Sequence, residues 1–214
     1  MTGDLLILGA GGHAKVVADA ALATGQWKSI AFADDRFPQL ASLLGIPVVA
    51  TCAEAVKVAP GFRAVVVAIG KASVRLQLLR DLGKAGASIA TIVHPSAVVS
   101  AFAELGAGTV VFAQTAVNAG ATLATGCIVN TGATIDHDCQ LAEGVHVCPG
   151  THLSGGVVVG ARSWIGVGAS VRQCIRIGAD VTVGAGAAVV RDVADRLTVV
   201  GVPARPIVQG RRQT

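Results

Sequence analysis

The chain has 214 residues, a length that suits one large domain or two small ones. It is 52% hydrophobic and 14% charged, carries a formal net charge of +4, and contains only 3% aromatic residues. Charges or repeated glycines interrupt every apolar run before about 18 residues, so we expect no membrane insertion. We also expect no nucleic-acid binding, because no basic stripe is interleaved with aromatic residues.

Cysteine usage and the N-terminus indicate the compartment. The five cysteines are odd in number and form no C-x-x-C pair, so neither a disulfide framework nor a zinc site is expected. The first apolar run, 5–8, is preceded by Asp4 rather than by the basic cluster of a signal peptide. We therefore expect a cytoplasmic protein whose thiols are mostly buried and which uses no metal.

Residues 1–92 alternate apolar runs with helical spacing, which predicts a small Rossmann-like α/β domain with a parallel sheet. The predicted strands are 5–8, 29–33, 46–49 and 64–69, and the predicted helices are 13–22 and 74–84. Polar and glycine residues follow the strands. Ligands of such sheets bind at the carboxyl ends of the strands, so we expect the ligand there.

The expected ligand site has a glycine-rich turn and two carboxylates. Backbone N–H groups of Gly11, Gly12 and His13, which open a helix, suit a phosphate. Asp34 and Asp35 after the second strand suit hydroxyl groups, and Gly70 closes the third long strand. A dinucleotide site, from Gly9-x-Gly11-x-x-Ala14 with Asp34 about 20 residues on, is one alternative; a tight turn without a ligand is another. A nucleotide-linked substrate is favoured, because about 90 residues make only half of a dinucleotide-binding fold.

Residues 93–214 are dominated by a six-residue repeat. From 97 to 192 the chain divides into sixteen blocks, and the third residue of every block is Val, Leu or Ile. One block alone cannot bury its aliphatic side chain, but stacked coils can, and three blocks per coil give about five coils. The pattern predicts a left-handed parallel β-helix with the third residue inside. A β-sandwich would show alternation without a period of six.

One block departs from the repeat in its chemistry. In 133–138 all of the last three places hold a charged residue or an imidazole, Asp136, His137 and Asp138, where many other blocks hold Gly, Ala or Thr. These side chains can cluster at a corner outside the prism. A histidine with a pKa near neutrality suits a general base, and a neighbouring carboxylate can fix its tautomer. An ordinary surface histidine is the alternative, and either Asp136 or Asp138 could orient the ring.

Several motifs together resemble the NeuD/PglD-like sugar acetyltransferases of the hexapeptide-repeat superfamily. They occur in order along nearly the whole chain: Gly9-Ala10-Gly11-Gly12-His13, Asp34-Asp35, Ala68-Ile69-Gly70, His94-Pro95-Ser96-Ala97, Asn130-Thr131 through Asp136-His137-Asp138, and Gly201-Val202-Pro203-Ala204. The resemblance implies a homotrimer in which acetyl-CoA and the acceptor meet between neighbouring β-helices. It also implies that the N-terminal domain holds the nucleotide.

The resemblance further implies residue roles. His137 matches the catalytic base, and Asp138 matches the acid beside it, which is more often Glu in the family. Asn130 matches a substrate-side amide, and His146 matches a histidine near the thioester. The other cofactor-channel positions are Gly155, Val167 and Ala185, of which Ala185 replaces a frequent Gly.

The predicted function is therefore an acetyl-CoA-dependent N-acetyltransferase. Its acceptor would be the amino group of a nucleotide-linked amino-sugar, such as a UDP- or GDP-linked 4-amino-4,6-dideoxyhexose used for a polysaccharide or glycan. The amine would attack directly, with histidine as the base. The alternative within the family is O-acetylation of a sialic acid or a related sugar. A non-catalytic β-helix scaffold and a metal-dependent hydrolase are alternatives of other classes.

Overall fold

The computed structural model describes residues 3–207, and its first part is a three-layer α/β unit. The strands are β1 (Gly3–Leu8), β2 (Ile30–Ala33), β3 (Ser42–Leu43), β4 (Ile46–Ala50) and β5 (Phe62–Val67); the helices are α1 (Gly12–Ala23), α2 (Cys52–Val58) and α3 (Ala72–Lys84). The sheet order is β3-β4-β2-β1-β5. All pairs are parallel except the antiparallel hairpin of β3 and β4.

The predicted elements of this unit are confirmed, and two were not predicted. Helix α2 begins with a capping box in which the Thr51 side chain accepts from the backbone of Glu54 and Glu54 accepts from Thr51. That signature was readable in the sequence. Strand β3 is two residues long and gave no periodic signal. None of the helices within residues 3–207 is both long and apolar enough to cross a membrane.

The second part is the predicted left-handed β-helix, with strands of two or three residues on three faces. Face 1 contains β6 (Ile92–Val93), β9 (Val110–Val111), β12 (Ile128–Val129), β15 (His146–Val147), β18 (Trp164–Ile165), β21 (Thr182–Val183) and β23 (Thr198–Val200), with β24 (Arg205–Pro206) antiparallel at its edge. Face 2 contains β7 (Val98–Val99), β10 (Ala116–Val117), β13 (Thr134–Ile135), β16 (His152–Leu153), β19 (Ser170–Val171) and β22 (Ala188–Val189). Face 3 contains β8 (Glu104–Leu105), β11 (Thr122–Leu123), β14 (Gln140–Leu141), β17 (Val158–Val159) and β20 (Arg176–Ile177).

From β6 to β22 parallel pairing joins residues 18 apart, for example Ala116 with Thr134, so three blocks close one coil; β21 and β23 pair at a separation of 16. The coils extend beyond the repeat as it was recognised in the sequence. β6 pairs with β9 at the start, and β23 pairs with β21 at the end. The predicted division between residues 92 and 93 falls inside β6.

The interior of the prism holds two side chains of each block. The third residues are inside, as predicted, but the first residues are buried there as well, including Ala121, Cys127 and Ala133 at 0% exposure. The sixth residue forms the corner, and from 108 to 186 every sixth residue has a φ between 55° and 75°. Because this left-handed conformation favours glycine, glycine recurs at the sixth place.

Two helices of the first part pack against the β-helix and fix the relative position of the two parts. Helix α1 buries Val17 and Ala21 in one apolar cluster with Ile92, Val110 and Ile128 of face 1. Helix α3 packs on the corner between faces 3 and 1, which we name the Gly126 corner (residues 106–108, 124–126, 142–144, 160–162 and 178–180). A Cβ added at Gly126 would lie 2.8 Å from a methyl carbon of a leucine on α3.

The interior packing predicts a large loss of stability on truncation. Ile165 is completely buried, so Ile165→Ala should lower the free energy of unfolding by about 2–5 kcal/mol. Gln140→Ala is the control, because Gln140 is exposed on face 3, and it should change stability by less than about 0.5 kcal/mol. Urea denaturation followed by circular dichroism measures both. Equal losses would contradict the assignment of the third residue to the core.

Candidate active site

A pocket lies at the carboxyl ends of β1, β2 and β5. It brings together the six predicted residues Gly11, Gly12, His13, Asp34, Asp35 and Gly70, together with Gly9, Ala10, Arg36, Cys52, Ala68 and Ile69. The residues predicted from the strand ends therefore meet at one pocket, and the parallel arrangement of the strands explains why they meet.

The glycine-rich turn leaves the N-terminus of α1 open to the pocket. Gly9 has φ +99°, and a Cβ there would lie 2.9 Å from the Ala68 carbonyl oxygen, so only glycine fits. Gly11 is the N-cap of α1, which has neither a side-chain cap nor an acidic residue in its first turn. A Cβ at Gly11 or Gly12 would meet nothing within 4 Å. The unpaired N–H groups and the positive end of the helix dipole are thus accessible to an anion.

Asp34 is already engaged by protein groups. Its Oδ2 accepts from the Ala10 backbone N–H at 2.7 Å, and its Oδ1 accepts from Arg36 Nε at 2.7 Å. The hydrogen bond from the Arg36 side chain, followed by backbone hydrogen bonds, lowers the pKa of Asp34 to about 2. Arg36 also donates from Nη2 to the Ala10 carbonyl at 2.8 Å. Asp34 therefore shapes the turn as well as lining the pocket.

Arg36 is a pocket residue that sequence reasoning missed. Its side chain is 58% exposed and supplies a cation at the pocket rim, directly after the two acidic residues that drew attention. Asp35 accepts from the backbone N–H of Cys52, at the start of α2, through Oδ1 at 3.0 Å. Within residues 3–207, Asp35 Oδ2 accepts no protein hydrogen bond, so Asp35 retains an acceptor for a ligand hydroxyl.

The half-buried His13 and the buried His146 connect this pocket to face 1. The ring centroid of His13 lies 5.6 Å from that of Phe112 and 6.3 Å from that of His146. The His146 ring packs 4.1 Å from the Trp164 ring, and its Nε2 is 3.5 Å from Asn130 Nδ2. His13 Nε2 and His146 Nδ1 are buried without a hydrogen-bond partner among the described residues. His13 lines the pocket, so its unpartnered ring nitrogen is suited to contact a ligand there.

Both histidines are neutral at physiological pH. Burial, and secondarily the charge of Arg75, lowers the pKa of His13 to about 4. Burial, followed by the charges of His13 and Arg75, lowers the pKa of His146 to about 3. A neutral imidazole can accept a hydrogen bond at one ring nitrogen and donate one at the other.

The predicted catalytic pair lies on the corner between faces 2 and 3. We name this the His137 corner (residues 100–102, 118–120, 136–138, 154–156, 172–174 and 190–192). His137 Nδ1 is 2.8 Å from Asp138 Oδ2, and both side chains are exposed. An Nδ1–H that donates to the carboxylate leaves Nε2 free to accept a proton. The hydrogen bond to the Asp138 carboxylate, followed by the charge of Asp136, raises the pKa of His137.

Asp136 holds the backbone of the corner and makes no hydrogen bond to the imidazole. Its Oδ1 accepts from the His137 backbone N–H at 2.8 Å and from Asn118 Nδ2 at 3.0 Å. Asp138 has the geometry expected of the carboxylate that orients His137. Two glycines of the adjacent coils make room for the pair. A Cβ at Gly155 would lie 2.5 Å from His137 Nε2, and a Cβ at Gly120 would lie 2.6 Å from Asp138 Oδ1.

Cysteine nucleophiles near His137 are disfavoured by burial. Cys139 and Cys148 are buried, and desolvation raises the pKa of Cys139 and raises that of Cys148 to about 12. Cys174 is exposed on the His137 corner, but it lies two coils beyond Asp138, or about 10 Å at the usual strand spacing.

Between residues 3 and 207, no group of three or more His, Cys, Asp or Glu side chains could hold a metal ion.

Within one chain the predicted residues form two separate groups. In a triangular prism, the His137 corner is opposite face 1, which carries His146 and borders the pocket. Asn130, Val167 and Ala185 lie on the corner between faces 1 and 2, whereas Gly155 lies beside His137. The four predicted cofactor residues therefore do not line one channel of a single chain.

Comparisons with known proteins agree with this architecture. Residues 4–82 match the family model of the PglD N-terminal domain. The acetyltransferase domain of PglB from Neisseria gonorrhoeae, solved with acetyl coenzyme A, is 43% identical with a TM-score of 0.92, over 97% of this chain and 100% of that chain. A mutant of perosamine N-acetyltransferase from Caulobacter crescentus, solved with CoA and GDP-perosamine, is 40% identical with a TM-score of 0.90, over 98% and 99% of the two chains.

A curated relative covers less of the chain. UDP-N-acetylbacillosamine N-acetyltransferase from Bacillus subtilis is 39% identical over 114 residues, which are 51% of this chain and 51% of that protein. The chain thus aligns with about half the length of this relative.

A six-residue-repeat β-helix with a histidine–carboxylate corner, docked to a small parallel-sheet domain, defines a hexapeptide-repeat acyltransferase. The solved relatives match nearly end to end at 40% identity or more. The chain belongs to the NeuD/PglD-like family of sugar acetyltransferases. The predictions of the fold class and of the family are therefore confirmed.

The pairing of His137 and Asp138 predicts the titration of the imidazole. Asp138→Asn should lower the pKa of His137, because the carboxylate hydrogen bond is the main cause of its elevation. Asp136→Asn should lower it less, since Asp136 acts only through its charge. Imidazole nitrogen–proton NMR spectra recorded against pH measure both. A larger effect of Asp136→Asn would identify Asp136 as the dominant partner of the ring.

Proposed function

We propose that the chain transfers an acetyl group from acetyl-CoA to the amino group of a nucleotide-linked amino-sugar. A UDP- or GDP-linked 4-amino-4,6-dideoxyhexose is the substrate class. The observation that carries this proposal is the exposed His137–Asp138 pair with its 2.8 Å hydrogen bond on a β-helix corner. The relatives named for bacillosamine and for perosamine support an amino-sugar, and the bound acetyl coenzyme A and CoA support the donor.

The proposed reaction is a direct transfer in a ternary complex. The amine nitrogen attacks the thioester carbonyl carbon, and His137 Nε2 takes the proton that the nitrogen loses. Asp138 stabilises the imidazolium that forms. The tetrahedral intermediate collapses, the C–S bond breaks, and His137 returns the proton to the departing thiolate of CoA. Backbone N–H groups of the glycine-rich corners are suited to stabilise the oxyanion.

The pocket is proposed to hold the nucleotide part of the acceptor. Amides of Gly11 and Gly12 at the open N-terminus of α1 would bind the phosphates. Arg36 adds a cation at the rim, and Asp35 keeps one oxygen for a hydroxyl. The neutral His13, together with Asn130 and Gly70, would contact the sugar side of the acceptor, and His146 would lie at the thioester.

The separation of the two groups of residues supports a shared site. His137 is on the corner opposite the face that adjoins the pocket, so one chain cannot place its own base at its own acceptor. The His137 of a neighbouring chain can reach that acceptor, and a ring of three chains provides this contact for every chain. Val98 and Phe102, at the start of face 2 and on the His137 corner, are 71% and 80% exposed. Exposed apolar side chains on the face and the corner that lead to His137, two coils before it, are consistent with a contact between chains on this side of the β-helix. We therefore propose a homotrimer.

The proposed reaction is a cytoplasmic one, because acetyl-CoA is made and used inside the cell. All five cysteines are free in the structure, which suits a reducing compartment.

The acceptor is tested by product analysis with the wild-type protein. Nucleotide-linked 4-amino-4,6-dideoxyhexoses should release the free thiol of CoA and gain an amide-linked acetyl group detectable by mass spectrometry and NMR. Matched sugars with a hydroxyl in place of the amine should remain unmodified. Acetylation of the hydroxyl sugars, or of sialic acid, would replace the proposal by O-acetylation. Absence of turnover with every nucleotide-linked sugar would remove it.

His137→Ala should lower kcat by about 10²- to 10⁴-fold, the usual contribution of a general base, while acetyl-CoA still binds. His152→Ala is the control, because His152 is an exposed histidine of face 2 that bonds only Thr134 among the described residues. Its kcat should stay within about twofold of wild type. Steady-state kinetics and calorimetry with acetyl-CoA measure these effects. Near-normal turnover of His137→Ala would exclude His137 as the base.

Sites shared between chains predict complementation. His137→Ala lacks the base, and Gly11→Trp fills the pocket, so each variant alone should be inactive. Co-assembled in equal amounts they should recover about a quarter of wild-type activity, since half of the chains supply each intact part. The control is a mixture of His137→Ala with the double variant His137→Ala/Gly11→Trp, which should stay inactive because no chain supplies the base. Sedimentation should give three times the chain mass of 21.3 kDa. An inactive mixture of the two single variants would place the site within one chain.

A further inference from the structure

The largest completely buried side chain among the described residues is a cation, Arg75 of α3. Its guanidinium uses four of its five N–H donors. Nη1 donates to the carbonyls of Ile69 at 2.7 Å and Gly70 at 2.8 Å, Nε donates to Gly126 at 2.8 Å, and Nη2 donates to Gly144 at 2.8 Å. Every acceptor is a backbone carbonyl, and Arg75 forms no ion pair with residues 3–207.

These carbonyls belong to the two parts of the chain. Ile69 and Gly70 line the pocket at the end of β5. Gly126 and Gly144 are corner residues of adjacent coils of the β-helix, with φ +67° and +68°. One planar guanidinium therefore joins an edge of the pocket to the β-helix. Its rigid fork of donors can satisfy four fixed carbonyls, whereas the ammonium group of lysine has three donors and no fork.

Stabilisation of the fold alone does not explain why a guanidinium is buried at position 75. A buried guanidinium without a carboxylate is costly, and apolar residues of similar volume often replace buried charges without loss. Burial lowers the pKa of Arg75 to about 10, so it remains charged at physiological pH. Helix α3 already packs on the same corner through Leu76 and Leu79. The arginine adds a directional link between the pocket edge and the coils that apolar packing does not supply.

We propose that Arg75 is a positioning residue of the acceptor site. It ties the Ile69–Gly70 edge of the pocket to the Gly126 corner, so that the pocket and the β-helix keep one fixed relative geometry. A buried positive charge behind the pocket also favours an anionic ligand, such as the diphosphate of a nucleotide-sugar. The identity of the ligand rests on the proposed function; the link itself does not.

Three variants test this role. Arg75→Met keeps an unbranched apolar side chain and removes the donors. Arg75→Lys keeps the charge but loses the fork. Arg80→Met is the matched control, because Arg80 is an exposed arginine of the same helix that bonds only Gln77 among the described residues. Amide hydrogen exchange and steady-state kinetics are measured on the trimeric or otherwise native assembly of each.

The expected results separate positioning from general stability. Arg75→Met should accelerate exchange in residues 69–71 and raise KM for the nucleotide-sugar about 10- to 30-fold, as for loss of one or two charge-assisted hydrogen bonds. The KM for acetyl-CoA should change by less than about twofold, because the link ends at the acceptor pocket. Arg75→Lys should be intermediate in both measurements, and Arg80→Met should match wild type.

Two results would overturn the proposal. One is unchanged exchange in residues 69–71 together with an unchanged KM for the nucleotide-sugar. The other is an equal rise of both KM values with faster exchange throughout the chain, which would make Arg75 a general stability residue. If Arg75→Met does not fold, the same comparisons are made with Arg75→Lys. If the wild-type protein acetylates no nucleotide-linked amino-sugar, the proposed function fails, whereas the exchange experiment still decides the link.

Discussion

The coils of the β-helix from β6 to β22 close after 18 residues, and this closure determines where the β-helix side chains of the candidate site lie. Residues that are 18 apart stack in columns. Asn118 therefore lies one coil from Asp136, and Gly155 lies one coil from His137. The same stacking places His146 between Ile128, which α1 covers, and the partly exposed Trp164. The β-helix part of the candidate site is thus built from residues stacked on successive coils rather than from one loop.

The second constraint is the docking of the α/β unit on two sides of the prism. Helix α1 covers face 1, and α3 follows the Gly126 corner, where the absence of side chains allows close approach. Since both contacts and the Arg75 link act on one rigid coil stack, the pocket has a defined position relative to His146. The pocket does not lie near the His137 of its own chain. The fold therefore separates His137, the proposed base, from the pocket proposed for the acceptor within each chain, and this separation is the basis for proposing a shared site.

The sequence predicted the fold well because its signals are periodic. A branched aliphatic at the third place of each of sixteen blocks predicts a β-helix. The block that ends in Asp136, His137 and Asp138 departs from the repeat and marks the corner of the candidate site. The pocket residues were predicted because the strands of a parallel sheet end at the same edge. The burial of the first residue of each block was not foreseen, although small residues at that place were visible. They are small because the narrow interior receives two side chains from each block.

Contacts between distant segments left no periodic trace and were missed. Arg75 shares the spacing of the buried leucines Leu79 and Leu82 of α3, but its hydrogen-bond partners lie up to 69 residues away, so the sequence did not show which carbonyls it bonds. Arg36 follows two aspartates that attracted the functional interpretation, while its own hydrogen bonds to Asp34 and Ala10 depend on the folded turn. The choice between Asp136 and Asp138 depended on side-chain direction. Only the folded corner places one carboxylate on the ring and the other on the backbone.

Asp138 occupies a backbone conformation that suits a residue without a Cβ. Its φ is +60°, at a sixth position where most blocks have glycine. A side chain in this left-handed region costs about 1–2 kcal/mol, although aspartate tolerates it better than most residues. Glycine at position 138 would therefore relax the corner and, at the same stroke, remove the carboxylate that orients His137. The most stable sequence of this corner and the sequence required by the proposed reaction therefore differ, so the protein retains local strain at the proposed catalytic pair.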